Sequence, residues 1–184
     1  MTFVERKTYY FERPGEENTA DAARFSIQRA QELNIRTIVV ASTSGKTAQV
    51  FFDAMKGSGL QLVVVTHVVG FTKPGEWEFS HETAQSLQKQ GVRIVTGTHA
   101  LSGLERALSR STKVGGGSRT EAIAEALRRV VAVGLKVAVE CVLIAPDQGA
   151  IGATGGPAGA CALLCATVAP PSCPFPLRAR SVSG

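Results

Sequence analysis

The chain has 184 residues, 44% of them apolar, which is enough for one well-buried core and too little for two domains of ordinary size. Its net charge of +5 includes Arg178 and Arg180 in a tail without carboxylates, so the excess suits small anionic ligands and forms no basic stripe interleaved with aromatics that would bind nucleic acid. No apolar run approaches the roughly 20 residues of a membrane span, and Glu5, Arg6 and Lys7 stand where a secretory leader needs its apolar stretch, so a soluble, cytoplasmic protein without membrane partners is expected.

In chain order, Asn18 is placed to cap a first helix over residues 19–33, with Asp21 in its first turn and Ala23, Ile27 and Ala30 on one face. Asn34 then closes that helix in the left-handed conformation, and Ile38, Val39 and Val40 form a short apolar run suited to a strand covered on both faces. The same construction, a Gly followed by a Val-rich or Ile-rich run, recurs at residues 59–65, 91–95 and 134–139, which gives four strands alternating with helices. Ser80 caps a helix reaching Gln90, and Ser118 with Glu121 forms a capping box for a helix that turns Ile123, Leu127 and Val130 inward. The long connection between the third and fourth strands holds a further helical piece over 101–110 and the run Gly115, Gly116, Gly117.

This alternation implies a doubly wound α/β fold, a mainly parallel sheet with helices on both faces and the ligand edge at the strand C-termini. Residues 1–151 form that single domain. From residue 152 onward Gly, Ala, Pro and Cys dominate and carboxylates vanish, so 152–184 reads as a divergent tail, one that an out-of-frame coding segment would also produce. Cys141, Cys161, Cys165 and Cys173 fit no common zinc spacing and are expected as reduced thiols.

The turn after the first strand carries the chemistry. Ser42, Thr43, Ser44 and Thr47 offer hydroxyls, Gly45 allows close backbone approach, and Lys46 supplies positive charge at the start of a helix whose free N–H groups favour an anion. A nucleotide P-loop also needs a Gly five positions before Gly45 so that the loop wraps the β-phosphate, and that position is Val40, inside the strand. An acidic strand end at Asp147, directly after Pro146, would complete a magnesium site only in that weaker reading. His67 and His99 end neighbouring strands on the same edge, where they read as polar lining rather than a metal site. Glu140 must be paired with a cation or face a ligand, Trp77 either stacks on a planar ring or covers a core edge, and the 70–75 loop is a candidate lid.

The Ser42 to Ala48 turn resembles the phosphate-binding turn of the pyruvate kinase C-terminal domain. Tyr10 to Thr19, Thr98 to Arg106 and Gly117 to Arg128 are similar to the strings of a pyruvate kinase C-terminal-domain-like family of stand-alone archaeal and bacterial proteins. The resemblance covers residues 10–151. It implies an α/β domain without the catalytic barrel, and a bound phosphorylated small molecule for which flavin mononucleotide (FMN) is a candidate cofactor. Carried over, it sets the phosphate on Ser42 to Thr47, with His99, Ser102 and Arg106 on the same edge and Arg119 as a second anion contact. Related proteins continue after Ile151 with an acidic turn and closing strands; their loss would leave an exposed sheet edge that favours homo-oligomers. The alternative is an enzyme, either flavin-dependent or a nucleotide phosphohydrolase using Ser44, Gly45, Lys46 and Thr47, although no nucleophile and base pair identifies a catalytic residue.

Overall fold

The computed structural model of the protein describes residues 9–103, 118–130, 132–152 and 161–163. After a short 3-10 turn at Glu16–Asn18, the elements are α1 (Thr19–Glu32), β1 (Thr37–Ala41), α2 (Lys46–Met55), β2 (Gln61–Thr66), α3 (His81–Lys89), β3 (Arg93–Thr96), α4 (Arg119–Val130), α5 (Val133–Asp147) and β4 (Cys161–Leu163). The four strands form one sheet in the order β3-β2-β1-β4, and every pair is parallel. The mainly parallel α/β class is therefore what the molecule adopts.

Local signals act as the sequence implies at most helix ends. Asn34 adopts φ 54 and Gly91 φ 85, and the amides that follow fold back onto the helices, Ile35 N–H to Ala30 O at 2.8 Å and Val92 N–H to Leu87 O at 3.1 Å. The Ser80 hydroxyl accepts from Thr83 N–H at 3.2 Å, and that of Ser118 from Glu121 N–H at 3.0 Å. Asn18 differs: it stands at the start of α1, but its side chain donates back to Arg13 O instead of capping the helix.

Strand pleating sends alternate residues to two dry layers. Ile38, Val40, Leu62 and Val64 face α1, α2 and α3, where Ala23, Ala30, Phe51, Phe79 and Leu87 complete one core. Val39, Val63 and Val65 face the other side and meet Cys141, Ile144 and Ala145 of α5. Phe51 is fully buried, a burial that contributes roughly 1.5–3 kcal/mol relative to exposure.

The second layer corrects the sequence reading. Residues 134–139 are the first half of α5 and not a fourth strand, and Pro146 and Asp147 lie in its last turn, so Asp147 is no strand-end carboxylate. The buried positions Gly134, Ala138, Cys141 and Ala145 recur at helical spacing, and the small ones among them bring the helix close to the sheet. Val137 and Val139 carry a local strand propensity, but the apolar surface of this segment serves to cover Val39, Val63 and Val65. α4 is also rotated from expectation: Ala124 is buried and Leu127 half-buried, while Ile123 and Val130 are exposed.

Beyond Ile151, Cys161–Leu163 pairs with Thr37, Ile38 and Val39 of β1. The rest of the tail, the helical piece over 104–110 and the Gly115 to Gly117 run lie outside the described residues. Among the described residues no helix is long and apolar enough to cross a membrane.

Candidate functional site

A cavity of about 620 Å³ opens at the C-terminal ends of β1 and β2, beside the point where the chain order turns from β2 on one flank of β1 to β4 on the other. Its walls come from Glu16 and Thr19 at the start of α1, the β1–α2 turn, the end of β2, the segments after β2 and β3, Arg128 of α4, and α5.

The β1–α2 turn is pinned from three directions. Ser42 is buried; its N–H donates to Val65 O at 3.0 Å, and its hydroxyl accepts from Ala48 N–H at 3.3 Å. Ser42 thus caps α2 from outside the helix, a role that the residue at the cap position, Gly45, cannot fill. The Thr66 hydroxyl holds Thr43 O at 3.3 Å, and Ser80 N–H holds Ser44 O at 3.3 Å. The amides of Lys46 and Thr47 belong to the first turn of α2 and have no acceptor within the helix by construction. Thr43, Ser44 and Lys46 are exposed, and all three line the cavity with Ser42 and Thr47.

Gly45 has a different role from the expected one. It adopts φ 100, and a Cβ there would lie 3.0 Å from Thr83 Cγ2 and 3.1 Å from Phe79 Cε1. The close approach it permits is between α2 and the α3 layer beneath the turn, and Gly45 does not line the cavity.

On the β2 side, His67 Nδ1 lies 2.6 Å from Glu78 Oε2, and the Thr72 hydroxyl donates to Glu78 Oε1 at 2.6 Å. The Thr72 hydrogen bond, then that of His67, holds the Glu78 carboxyl below the usual glutamate range. The His67 ring packs against Phe71 at 3.9 Å between centroids, and His99 stands 5.6 Å from His67. Phe71, in the 70–75 loop, is the aromatic ring that enters the cavity wall; Trp77 stacks on Phe79 at 5.4 Å and packs on the core outside the cavity. Of the two roles open to Trp77, stacking on a ligand ring and covering a core edge, it takes the second.

The α5 wall is charged. Glu140 and Lys136 are 3% and 4% exposed and pair with each other one helical turn apart on α5. The other carboxylate oxygen, Oε1, accepts from Leu101 N–H at 3.0 Å and from the Ser102 hydroxyl at 3.1 Å, while Lys136 Nζ donates to Ser102 Oγ at 3.0 Å. His99 Nδ1 approaches Glu140 Oε2 to 4.0 Å. Gly97 makes this meeting feasible, because a Cβ there would sit 2.6 Å from Ile144 Cγ2 and push the end of β3 off α5.

Of the sequence-predicted residues, Ser42, Thr43, Ser44, Lys46, Thr47, His67, His99 and Ser102 share this one cavity. Arg119 begins α4, exposed and away from the lining, and Arg106 lies outside the described residues. Lys136 is a lining residue that the sequence expectations do not include. Its signal was the spacing Lys136-x3-Glu140 within an uncharged apolar segment: in a strand these two Cα atoms would stand roughly 13 Å apart, in a helix one turn. Phe71 and Arg128 also line the cavity without having been singled out as contacts.

The parallel sheet, its helices on both faces and the switch-point cavity describe an architecture that one family model fits. The model of the pyruvate kinase alpha/beta domain matches residues 20–162, from the start of α1 into β4. The chain belongs to the pyruvate kinase alpha/beta domain family.

Proposed function

We propose that the protein is a small-molecule binding or regulatory module that holds a phosphorylated ligand, its phosphate on the turn formed by Ser42, Thr43, Ser44, Lys46 and Thr47. One observation carries this reading: Ser42 caps α2 at Ala48 N–H, and Thr43, Ser44, Lys46 and Thr47 line the cavity at the start of that helix, where N–H groups without intrahelical acceptors favour an anion. The cavity volume falls in the roughly 300–1,000 Å³ range of small-molecule sites.

FMN is the first ligand to test. Its phosphate suits the turn, and the rings of Phe71, His67 and His99, which line the same cavity, offer flat surfaces. When bound, a flavin would supply redox chemistry; the chain's own contribution is to anchor the phosphate and shape the wall. The test is a flavin-fluorescence titration with FMN, with riboflavin as the phosphate-free control. Saturable binding of FMN that riboflavin does not reproduce, and that Lys46→Ala weakens, is the expected result. Equal binding of the two flavins would rule out the turn as the anchor. Release of phosphate from ATP with magnesium, abolished by Lys46→Ala, would instead favour a phosphohydrolase.

A further inference from the structure

We infer that His67 is a proton-linked contact of the cavity: Nε2 of its ring takes up a proton when a phosphate enters, so that ligand affinity follows pH near neutrality. This inference rests on the phosphate occupying the β1–α2 turn and concerns how that site is regulated, whatever the rest of the ligand is.

Position comes first. His67 directly follows Thr66, whose hydroxyl holds Thr43 O of the turn at 3.3 Å, and it lines the same cavity as Thr43, Ser44, Lys46 and Thr47. Orientation follows from its partners. Nδ1 lies 2.6 Å from Glu78 Oε2, and the Thr72 hydroxyl donates to the other oxygen of that carboxyl. Both hydrogen bonds favour the ionised carboxylate, which only accepts, so Nδ1 carries the hydrogen. Glu78 and Thr72 do not line the cavity, whereas His67 does, which leaves Nε2 as the nitrogen that the cavity meets. Phe71 covers the ring at 3.9 Å between centroids. The ring is therefore held between a fixed carboxylate and an open cavity. An imidazole is the side chain whose charge changes nearest neutral pH. With Glu78 on one side of it, a phosphate dianion on the other adds the second negative charge that favours the imidazolium.

The other charges around this region are matched or fixed. Lys136 and Glu140 on α5 neutralise each other, Arg128 on α4 pairs with Glu125, and Lys73 pairs with Glu76 at 3.6 Å in the loop. Lys46 and Glu16 contribute one charge of each sign to the lining. His99, 5.6 Å from His67 between centroids, is the other imidazole of the cavity, and its Nδ1 lies 4.0 Å from Glu140 Oε2.

The experiment counts protons. Isothermal titration calorimetry of the full chain at pH 7, repeated in buffers of different ionisation enthalpy, gives the number of protons exchanged on binding. FMN and n-pentyl phosphate are the titrants, and riboflavin is the phosphate-free control. A phosphate monoester, with its second ionisation at about pH 6, can only release protons to a cationic turn at this pH, so uptake belongs to the protein. The expected count is about half a proton taken up per phosphate bound, which corresponds to an imidazolium that binds the phosphate about tenfold tighter than the neutral ring does. His67→Gln should abolish the uptake. Glu78→Gln should reduce it by about half, since charge-assisted hydrogen bonds are roughly twice as strong as neutral ones. Should neither variant fold, the wild-type count decides. Net release or no exchange in the wild type, or an uptake that survives in His67→Gln, overturns the proton linkage and leaves the phosphate turn standing. Riboflavin binding as tight as that of FMN overturns the phosphate turn and the linkage with it. Absence of binding by FMN and by pentyl phosphate overturns both.

Discussion

The β1–α2 turn and the α5 wall face the same cavity and hold their charges in opposite ways. Lys46 is exposed at the head of a helix, and among the described residues no carboxylate pairs with it. Lys136 is almost fully buried and bound to Glu140 on its own helix. An exposed lysine costs the fold nothing and is available to an incoming anion; a buried one is tolerated only with its counter-charge in place. One end of the cavity is thus built to gain a charge and the other to stay neutral, and each responds to mutation in its own way.

The largest expected effect breaks the buried end. Glu140→Leu leaves the Lys136 ammonium without its counter-charge and is expected to lower unfolding stability by about 3–5 kcal/mol, read by urea denaturation. Adding Lys136→Met should restore most of that loss. If Glu140→Leu alone unfolds at the wild-type midpoint, the pair is not the buried, mutually dependent unit described above.

At the exposed end the effect shifts from stability to affinity. Lys46→Ala should weaken a phosphate ligand by about ten- to a hundredfold, the range of a charge-assisted hydrogen bond, with no change in the urea midpoint. A fall in stability without a fall in affinity would contradict the contrast between the two lysines.

Gly45 tests the support beneath the turn. Gly45→Ala forces a side chain into φ 100 and against Thr83 and Phe79, costing about 1–2 kcal/mol for the left-handed backbone. Unfolding curves measure this directly, and an unchanged midpoint would mean that the turn relaxes without loss.

The smallest effect is a pH dependence at Glu78. Its carboxyl is held below the ordinary value in the folded state, so its contribution is fully present above about pH 4.3 and is lost as pH falls through the depressed folded value. Thr72→Val removes the largest cause of that depression and should flatten the acid limb of the stability profile below that pH. An acid limb identical to wild type would show that the Thr72 contact does not hold the charged form.

Much of the first layer was legible in the residues themselves. The Ile38 to Val40 and Leu62 to Val65 runs, the closing Asn34 and Gly91, and the Ser80 and Ser118 caps each express a preference settled within a few positions. The second layer was not, because Val137 and Val139 favour a strand locally while the sheet needs a cover for Val39, Val63 and Val65. Had residues 134–139 formed a strand, that apolar face would have lost α5, its cover among the described residues. The site divides the same way. The anion-binding character of the turn follows from its hydroxyls, its lysine and the helix behind it, all adjacent in the chain.

The sequence alone therefore determined where the backbone turns and what a single turn is able to bind, since those depend on short-range sterics and hydrogen bonds. Only the tertiary structure decided that Gly45 faces Phe79, that Phe71 rather than Trp77 enters the cavity, and that Ser102 meets a carboxylate 38 residues away. Those meetings depend on strand order and on which helix covers which face, and both are set by the need to bury the whole sheet at once.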